Sequence, residues 1–308
     1  MQKNVIVTGG NGFLGRHVVA ELRGRGATRV LTPAKAEYDL CYADHVHRLL
    51  DDHDPDLVIH LAAAVGGIGA NQKNPGRFFY ENAVMGLNLL EAARKFEVPK
   101  VVTIGTVCSY PKFAKVPFVE DDLWNGYPEE TNAPYGLAKK MVMVMCRAYR
   151  EQYGCDFVHL VMANLYGPGD DFDLETSHTI PALIRKMIAA KESSATEIEV
   201  WGTGTPSREF LYAADAAEGI VTAAEQYDSS EPVNLGTGRE VTIKELAGMI
   251  RAATGFEGEF RWNPERPDGQ PRRALDTSRA REAFGFVATT SLEDGLAKTV
   301  EWYLANRG

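Results

Sequence analysis

The stretch Asn4–Gly26, NVIVTGGNGFLGRHVVAELRGRG, predicts how the fold begins. A β-branched run ends in glycines, and the residues that follow have helical spacing with Gly26 as a stop signal. Gly9, Gly12 and Gly15 lie between this strand and this helix in a G-x-x-G-x-x-G pattern. Such a turn brings backbone close to a pyrophosphate, and the helix N-terminus offers it free N–H groups. We therefore expect a dinucleotide-binding turn, and the alternative is a tight turn without a ligand.

Beyond this turn, strand-like and helix-like segments alternate for about 165 residues. The later strand candidates are TRVLTP (28–33), LVIHLAA (57–63), KVVTIGT (100–106) and CDFVHLVMANLYGP (155–168). Two long amphipathic helices are expected at 77–96 and 136–153. This alternation predicts an α/β fold with a doubly wound parallel sheet that is covered by helices on both faces.

After Tyr166 the elements become shorter and the loops longer. We expect a smaller substrate domain at the carboxyl edge of the sheet, where ligands of open α/β sheets bind. The segments REFLYAADAAEGIVTAAEQ and PVNLG read as a helix and a strand that return to the first domain. The predicted division is therefore interleaved. It assigns 1–165 and about 213–236 to the dinucleotide domain, and 166–212 with 237–308 to the substrate domain.

Composition excludes several classes of partner. The chain has 308 residues and a formal net charge of −9, which disfavours nucleic acid or an anionic membrane as a partner. There is no signal-peptide pattern, and the longest apolar stretch (57–70) is too short and glycine-rich to span a membrane. The four cysteines show no C-x-x-C pair and no zinc-like spacing with the seven histidines. We expect a cytoplasmic protein with free thiols and no metal site.

The second strand bears on the choice of cofactor. An acid at its end would accept a hydrogen bond from the ribose 2′-hydroxyl of NAD. In VLTPAKAEYDL (30–40) no acid occurs before Glu37, whereas Lys35 lies near the strand end and Arg16 follows the glycine turn. The missing acid and the two cations favour the 2′-phosphate of NADP. The alternative is that both cations are solvated surface residues.

Tyr135 and Lys139 lie four residues apart in PYGLAKK, on one face of a predicted helix. An ammonium beside a phenol is expected to lower the pKa of the phenol, which suits a group that protonates a carbonyl as hydride arrives. The pattern alone is not specific, but this helix follows the strand that ends at Thr106, where the sheet edge would hold a nicotinamide. Thr106 can donate a hydrogen bond to the same carbonyl.

Together, the glycine turn, HLAA at 60–63, Asn82, Thr106 and the Tyr135/Lys139 pair resemble the extended short-chain dehydrogenase/reductases across essentially the whole chain. Longer motifs narrow the resemblance to the GDP-L-fucose synthase subfamily. These motifs are AAAVGGIGAN (62–71), CSYPK (108–112), NLYGPGDDFD (164–173), SHTIPALIRK (177–186) and WGTGTPSREFL (201–211). The subfamily often has serine in place of Thr106 and arginine in place of Asn11, so phosphate binding would fall to Lys35 or Arg16.

The resemblance implies NADPH-dependent 3,5-epimerisation and 4-keto reduction of GDP-4-keto-6-deoxy-D-mannose. Inversion at two carbons needs a second proton-handling pair, and Cys108 and His178 stand in the matching motifs. Their ordinary pKa values bracket neutrality, although a lone cysteine is usually a small buried hydrophobe. A 4,6-dehydratase would carry Asp-Glu where this chain has Val107 and Cys108. The alternatives left open are the same chemistry on another GDP-4-ketosugar, a dideoxy sugar or a heptose, and a non-catalytic nucleotide-sensing fold.

The resemblance also implies which residues bind ligands. The catalytic set is Thr106, Cys108, Tyr135, Lys139 and His178. The NADP-binding set adds Gly9, Asn11, Gly12, Phe13, Leu14, Gly15, Arg16, Lys35, Asp39, Leu40, Leu61, Ala62, Ala63 and Asn164. The GDP-sugar set is Lys186, Trp201, Arg208, Arg266 and Asp268. In relatives, the helices corresponding to 77–96 and 136–153 form a dimer interface, so a homodimer is expected.

Overall fold

The computed structural model describes residues 4–174, 176–266 and 268–307. Residues 1–3, with which the predicted first domain begins, lie outside these ranges. The strands are β1 (Asn4–Thr8), β2 (Arg29–Leu31), β3 (Leu57–His60), β4 (Lys100–Thr106), β5 (Phe157–Met162), β6 (Asn164–Tyr166), β7 (Glu197–Trp201), β8 (Ser207–Arg208), β9 (Phe210–Tyr212), β10 (Val233–Leu235), β11 (Val241–Thr242) and β12 (Glu259–Asn263). The helices are α1 (Phe13–Gly24), α2 (Ala43–His53), α3 (Ile68–Lys73), α4 (Pro75–Lys95), α5 (Ala133–Tyr153), α6 (Thr179–Glu192), α7 (Ala213–Gln226), α8 (Ile243–Thr254), α9 (Ser278–Phe284) and α10 (Leu292–Asn306).

Six strands form a parallel sheet in the order β10-β5-β4-β3-β1-β2. Strand order reverses between β1 and β3, which makes a crevice at their carboxyl ends. The predicted α/β fold with a doubly wound parallel sheet is confirmed. The two long helices also form, and each begins slightly before its predicted start because Pro75 and Pro134 fit the first helical turn.

Apolar side chains are buried on both faces of the sheet, which explains the unbroken β-branched runs. In β1, Val5 and Val7 belong to one core, which includes residues of α1 and α7. The intervening Ile6 belongs to a second core, which includes residues of α2, α4 and α5. A third core joins α6, α8 and α10 with β7 and β9, away from the central sheet.

The predicted strand 155–168 is two strands. β5 lies in the central sheet, whereas β6 leaves it and pairs in parallel with β9. The break falls at Ala163, whose N–H donates to the carbonyl of Leu235 at the end of β10. The chain therefore changes partners at the carboxyl edge of the sheet, where it starts to build the second region.

Among the described residues, no helix is long and apolar enough to cross a membrane. The same residues include no cluster of three or more side chains that could hold a metal ion. All four cysteines are free thiols.

Candidate active site

A cavity of about 910 Å³ runs from the glycine turn across the carboxyl ends of β1, β3 and β4 to the second region. Its lining includes most residues of the three predicted sets. Those lining it are Gly9, Asn11, Gly12, Phe13, Leu14, Gly15, Lys35, Asp39, Leu40, Leu61, Ala62, Ala63, Thr106, Cys108, Tyr135, Lys139, Asn164, His178, Lys186, Trp201, Arg208 and Asp268. Two predicted residues, Arg16 and Arg266, are exposed side chains outside this lining.

The glycine turn has a shape that only glycine allows. Gly9 has a φ of +71°, and a Cβ there would lie 2.8 Å from the backbone nitrogen of Ala62. A Cβ at Gly15 would lie 2.2 Å from the carbonyl oxygen of Gly9. No side chain caps α1 at Gly12, so its first N–H groups are open to an anion in the cavity. This cradle fits the pyrophosphate of a dinucleotide.

The two cations proposed for the 2′-phosphate behave differently. Lys35 lines the cavity, is exposed, and lies 3.9 Å from the carboxylate of Asp39. Arg16 turns back onto the glycine turn, where its Nε donates to the carbonyl of Asn11 at 3.0 Å. Lys35 is therefore the better-placed partner for a phosphate at the end of β2.

Tyr135 and Lys139 lie in the first turns of α5, with the Lys139 Nζ 6.0 Å from the tyrosine ring centroid. Burial lowers the pKa of Lys139 to about 8. Burial, together with the nearby Cys108, raises the pKa of Tyr135. The expected lowering of the tyrosine pKa is therefore wrong, because burial disfavours the charged phenolate. Tyr135 remains a phenol, the form that can donate a proton.

A row of buried polar side chains crosses the sheet on four adjacent strands. Thr8, His60, Thr103 and His159 are register partners, and each threonine Oγ1 lies 2.8 Å from a histidine Nδ1. Burial lowers the pKa of both histidines to about 3, and the charge of Lys139 acts in the same direction. The lysine therefore shares the sheet interior with neutral imidazoles instead of carboxylates.

Cys108 lies two residues beyond the end of β4, in the turn that follows the strand. β4 stops at Thr106, and Val107–Ser109 form a 3₁₀ turn in which the Thr106 hydroxyl accepts from the Cys108 N–H at 3.2 Å. Helix α5 can approach this turn because residue 136 is glycine, where a Cβ would lie 2.5 Å from the Cys108 carbonyl oxygen. The half-buried thiol therefore lies in the same part of the cavity as Tyr135.

His178 is the residue immediately before α6 and lines the cavity. Its side chain is open towards the cleft, yet protein surrounds it, and this partial desolvation lowers its pKa while Asp171 opposes the effect. The imidazole is consequently biased towards its neutral form, which can accept a proton.

In the second region, Trp201 has two cationic neighbours. The Lys186 Nζ is 5.7 Å and the Arg266 guanidinium 4.7 Å from its ring. Asp268 also lines the cavity, but its carboxylate already accepts from the N–H and the hydroxyl of Thr203, both at 2.8 Å. Asp268 therefore holds the turn that follows Trp201.

Gln270 and Arg273 are among the cavity residues that the predicted sets do not include. Arg273 is only 6% exposed, and its Nη1 lies 3.4 Å from the sulfur of Cys108. The segment that carries them, NPERPDGQPRRALD (263–276), reads as a loop with no periodicity. No local signal connects it with a cysteine 165 residues earlier.

The glycine cradle, the Tyr/Lys pair and the crevice at the strand reversal define a dinucleotide-dependent enzyme of the doubly wound α/β class. The chain belongs to the NAD dependent epimerase/dehydratase family, whose model matches residues 5–236.

Individual relatives are more specific. The chain is 41% identical to a probable GDP-L-fucose synthase 1 from Oryza sativa subsp. japonica, covering 98% of this chain and 92% of that protein. A GDP-L-fucose synthetase from Naegleria fowleri, solved with NADP bound, aligns with a TM-score of 0.91 at 29% identity, covering 100% of this chain and 96% of that one. A GDP-6-OMe-4-keto-L-xylo-heptose reductase from C. jejuni aligns with a TM-score of 0.93 at 29% identity, covering 99% and 98%.

Proposed function

We propose that this protein catalyses the NADPH-dependent 3,5-epimerisation and 4-keto reduction of GDP-4-keto-6-deoxy-D-mannose to GDP-L-fucose. The observation that carries the proposal is the convergence of two proton-handling sets in one cavity. Tyr135 and Lys139 form one set, and Cys108 and His178 form the other. Simple reduction needs only the first set, whereas inversion beside a ketone needs an additional base and acid. The GDP-L-fucose synthases among the similar proteins favour the same activity.

Each residue has a role in this scheme. Thr106 and Tyr135 hydrogen-bond the C4 carbonyl oxygen, which stabilises the enolate formed when a proton leaves C3 or C5. Cys108 and His178 remove the proton from one face and return one to the other. Tyr135 then protonates the C4 oxygen during reduction, with Lys139 beside it. NADPH, when bound, supplies the hydride.

The ligands divide along the cavity. The glycine turn holds the dinucleotide pyrophosphate, and Lys35 holds its 2′-phosphate. Arg208 lines the substrate end, where burial lowers its pKa to about 10 with the charge of Arg273 acting in the same direction. Among the described residues, the Arg208 guanidinium forms no ion pair with a carboxylate and donates only to the carbonyls of Ser207 and Asp268. Its charge is therefore available to a diphosphate.

The test is to supply purified protein with several GDP-4-ketosugars and to follow NADPH oxidation together with product identity. The 6-deoxy-mannose derivative is expected to give the highest kcat/KM and GDP-L-fucose as product. Preference for a heptose substrate would favour the alternative that the C. jejuni reductase suggests. A protein that binds GDP-sugars without oxidising NADPH would instead be a nucleotide-sensing module.

We also propose that the enzyme acts in the cytoplasm as a homodimer through α4 and α5. These helices expose apolar side chains at Tyr80, Met141 and Val144, of which 62%, 40% and 47% are accessible. Met141→Glu should give monomers in light scattering, whereas Val287→Glu, at an exposed apolar residue elsewhere, should leave the dimer intact. A wild-type monomer at micromolar concentration would refute the dimer.

A further inference from the structure

Cys108 has a cationic neighbour that the general scheme does not use. The Nη1 of Arg273 donates towards the cysteine sulfur at 3.4 Å, a distance that suits a hydrogen bond to sulfur. In the proposed reaction Cys108 is a thiolate either before it accepts a proton, if it acts as the base, or after it donates one, if it acts as the acid. A guanidinium at this distance stabilises that anion in either case.

The guanidinium is aimed by a chain of hydrogen bonds. Its Nε donates to the side-chain oxygen of Gln270 at 3.2 Å. The side-chain nitrogen of Gln270 in turn donates to the carbonyl of Lys112 at 2.9 Å. Gln270 and Arg273 are 3% and 6% exposed, so solvent cannot easily replace these contacts. Arg273 is thus held in one orientation by a neutral partner, and its charge is not neutralised by that partner.

The backbone around Arg273 is fixed from both sides. The N–H of Phe118 donates to the carbonyl of Ala274 at 2.8 Å. The N–H of Leu275 donates to the buried carboxylate of Glu209 at 2.6 Å. The segment 271–276 is therefore anchored through Ala274 and Leu275, next to Arg273, which restricts where the Arg273 side chain can point.

We propose that Arg273 stabilises the thiolate of Cys108 during epimerisation and that Gln270 positions its guanidinium. The inference rests on the proposed function and adds a residue to it. When the proton leaves the sugar for Cys108, a C–H bond breaks, an S–H bond forms, and the electron pair passes to the enolate at the C4 oxygen. Transfer in the other direction reverses these changes, so no further reactant is needed.

Other charged groups near the sulfur must be considered in any pH profile. Arg208 and Tyr135 both interact electrostatically with Cys108. Glu129 and Asp268 act on Arg208 and oppose the effect of Arg273 on it. These groups are common to the wild-type protein and the Arg273 variants, so the comparison reports the effect of removing the Arg273 charge.

The first readout is alkylation of Cys108 by iodoacetamide in nucleotide-free protein, quantified on its peptide by mass spectrometry across neutral and alkaline pH. The alkylation rate at high pH reports how accessible the sulfur is to iodoacetamide. The pH at which the alkylation rate is half-maximal reports how strongly the protein stabilises the thiolate. Arg273→Gln should slow alkylation at neutral pH by at least about tenfold and raise this half-maximal pH. Arg273→Lys should recover most of the rate. The adjacent Arg272→Gln, which removes an exposed cation paired with Glu240, should change nothing.

The second readout is deuterium uptake at C3 and C5 of the ketosugar in deuterated water, with NADP⁺ in place of NADPH. Arg273→Gln should reduce the maximal uptake rate by about tenfold or more, and Gln270→Leu should reduce it less. If Arg273→Gln raises KM while alkylation and maximal uptake stay at wild-type values, Arg273 binds substrate only and the proposal is overturned. If wild-type protein takes up no deuterium, the proposed function fails, and alkylation still decides whether Arg273 acts on the sulfur. If Arg273→Gln does not fold, Gln270→Leu with unchanged alkylation and uptake overturns the positioning role.

Discussion

The cavity has two chemically distinct sides, and they are built differently. The hydride side, Tyr135 and Lys139, comes from one helix and is desolvated enough to shift the pKa values of both groups. The proton side combines Cys108 in the turn after β4 with His178 at the start of α6. It also includes Arg273, which contacts Cys108 from a loop 165 residues further along the chain. One side depends on helical spacing and burial, whereas the other depends on long-range contacts. The two functions should therefore fail separately.

The largest effect is expected on the proton side. Cys108→Ser keeps the shape but makes the group a far weaker acid, so deuterium uptake at C3 and C5 should fall by about 1000-fold. Slow reduction of the un-epimerised sugar should persist and give a D-configured product. Cys155→Ser, at a half-buried cysteine that does not line the cavity, is the control. Uptake at the wild-type rate in Cys108→Ser would reduce the thiol to a packing role.

On the hydride side, Tyr135→Phe removes the acid that protonates the C4 oxygen. NADPH oxidation should fall by about 100-fold or more, which is the usual cost of losing a general acid. Some deuterium uptake should survive. Tyr153→Phe, at the exposed end of the same helix, should behave like wild type. Equal loss of both activities in Tyr135→Phe would mean that the two sides are not separable.

Burial of Lys139 should lower the free energy of unfolding when the lysine is charged. Its pKa falls from 10.5 to about 8, and this shift corresponds to a destabilisation of ~3 kcal/mol at pH values below both. The unfolded chain binds the extra proton between these values, so the free energy of unfolding should rise with pH across this window.

Lys139→Met should remove that slope and stabilise nucleotide-free protein near neutral pH by up to ~3 kcal/mol, measured by urea unfolding at several pH values. The exposed Lys244→Met should change stability by less than ~0.5 kcal/mol. A destabilised Lys139→Met protein would show that the lysine makes compensating contacts.

The smallest effect concerns the cofactor end of the hydride side. If Lys35 binds the 2′-phosphate, kcat/KM should be higher with NADPH than with NADH. Lys35→Ala should lower the ratio of these two values by roughly 10- to 150-fold. Lys115→Ala, at an exposed lysine outside the cavity lining, should not. Equal use of both cofactors by the wild-type protein would contradict this role for Lys35.

Much of the hydride side is predictable because its signals are local. Glycine spacing predicts the turn at residues 9–15, and helical spacing predicts that Tyr135 and Lys139 share a face. The proton side is predictable only through the family resemblance, since no spacing rule connects a cysteine and a histidine 70 positions apart. Arg16 shows the limit of local reading, because its position after the turn indicates a phosphate contact although its side chain hydrogen-bonds the turn itself.

The sequence by itself determined the parallel α/β fold, the dinucleotide cradle and the pairing of Tyr135 with Lys139. These follow from steric freedom at glycine and from periodic burial, which act over a few residues. Only the tertiary structure decided that Arg273 reaches Cys108 and that the pKa of Tyr135 rises instead of falling. Both outcomes depend on which distant segments exclude water from a side chain, and desolvation is a property of the assembled interior.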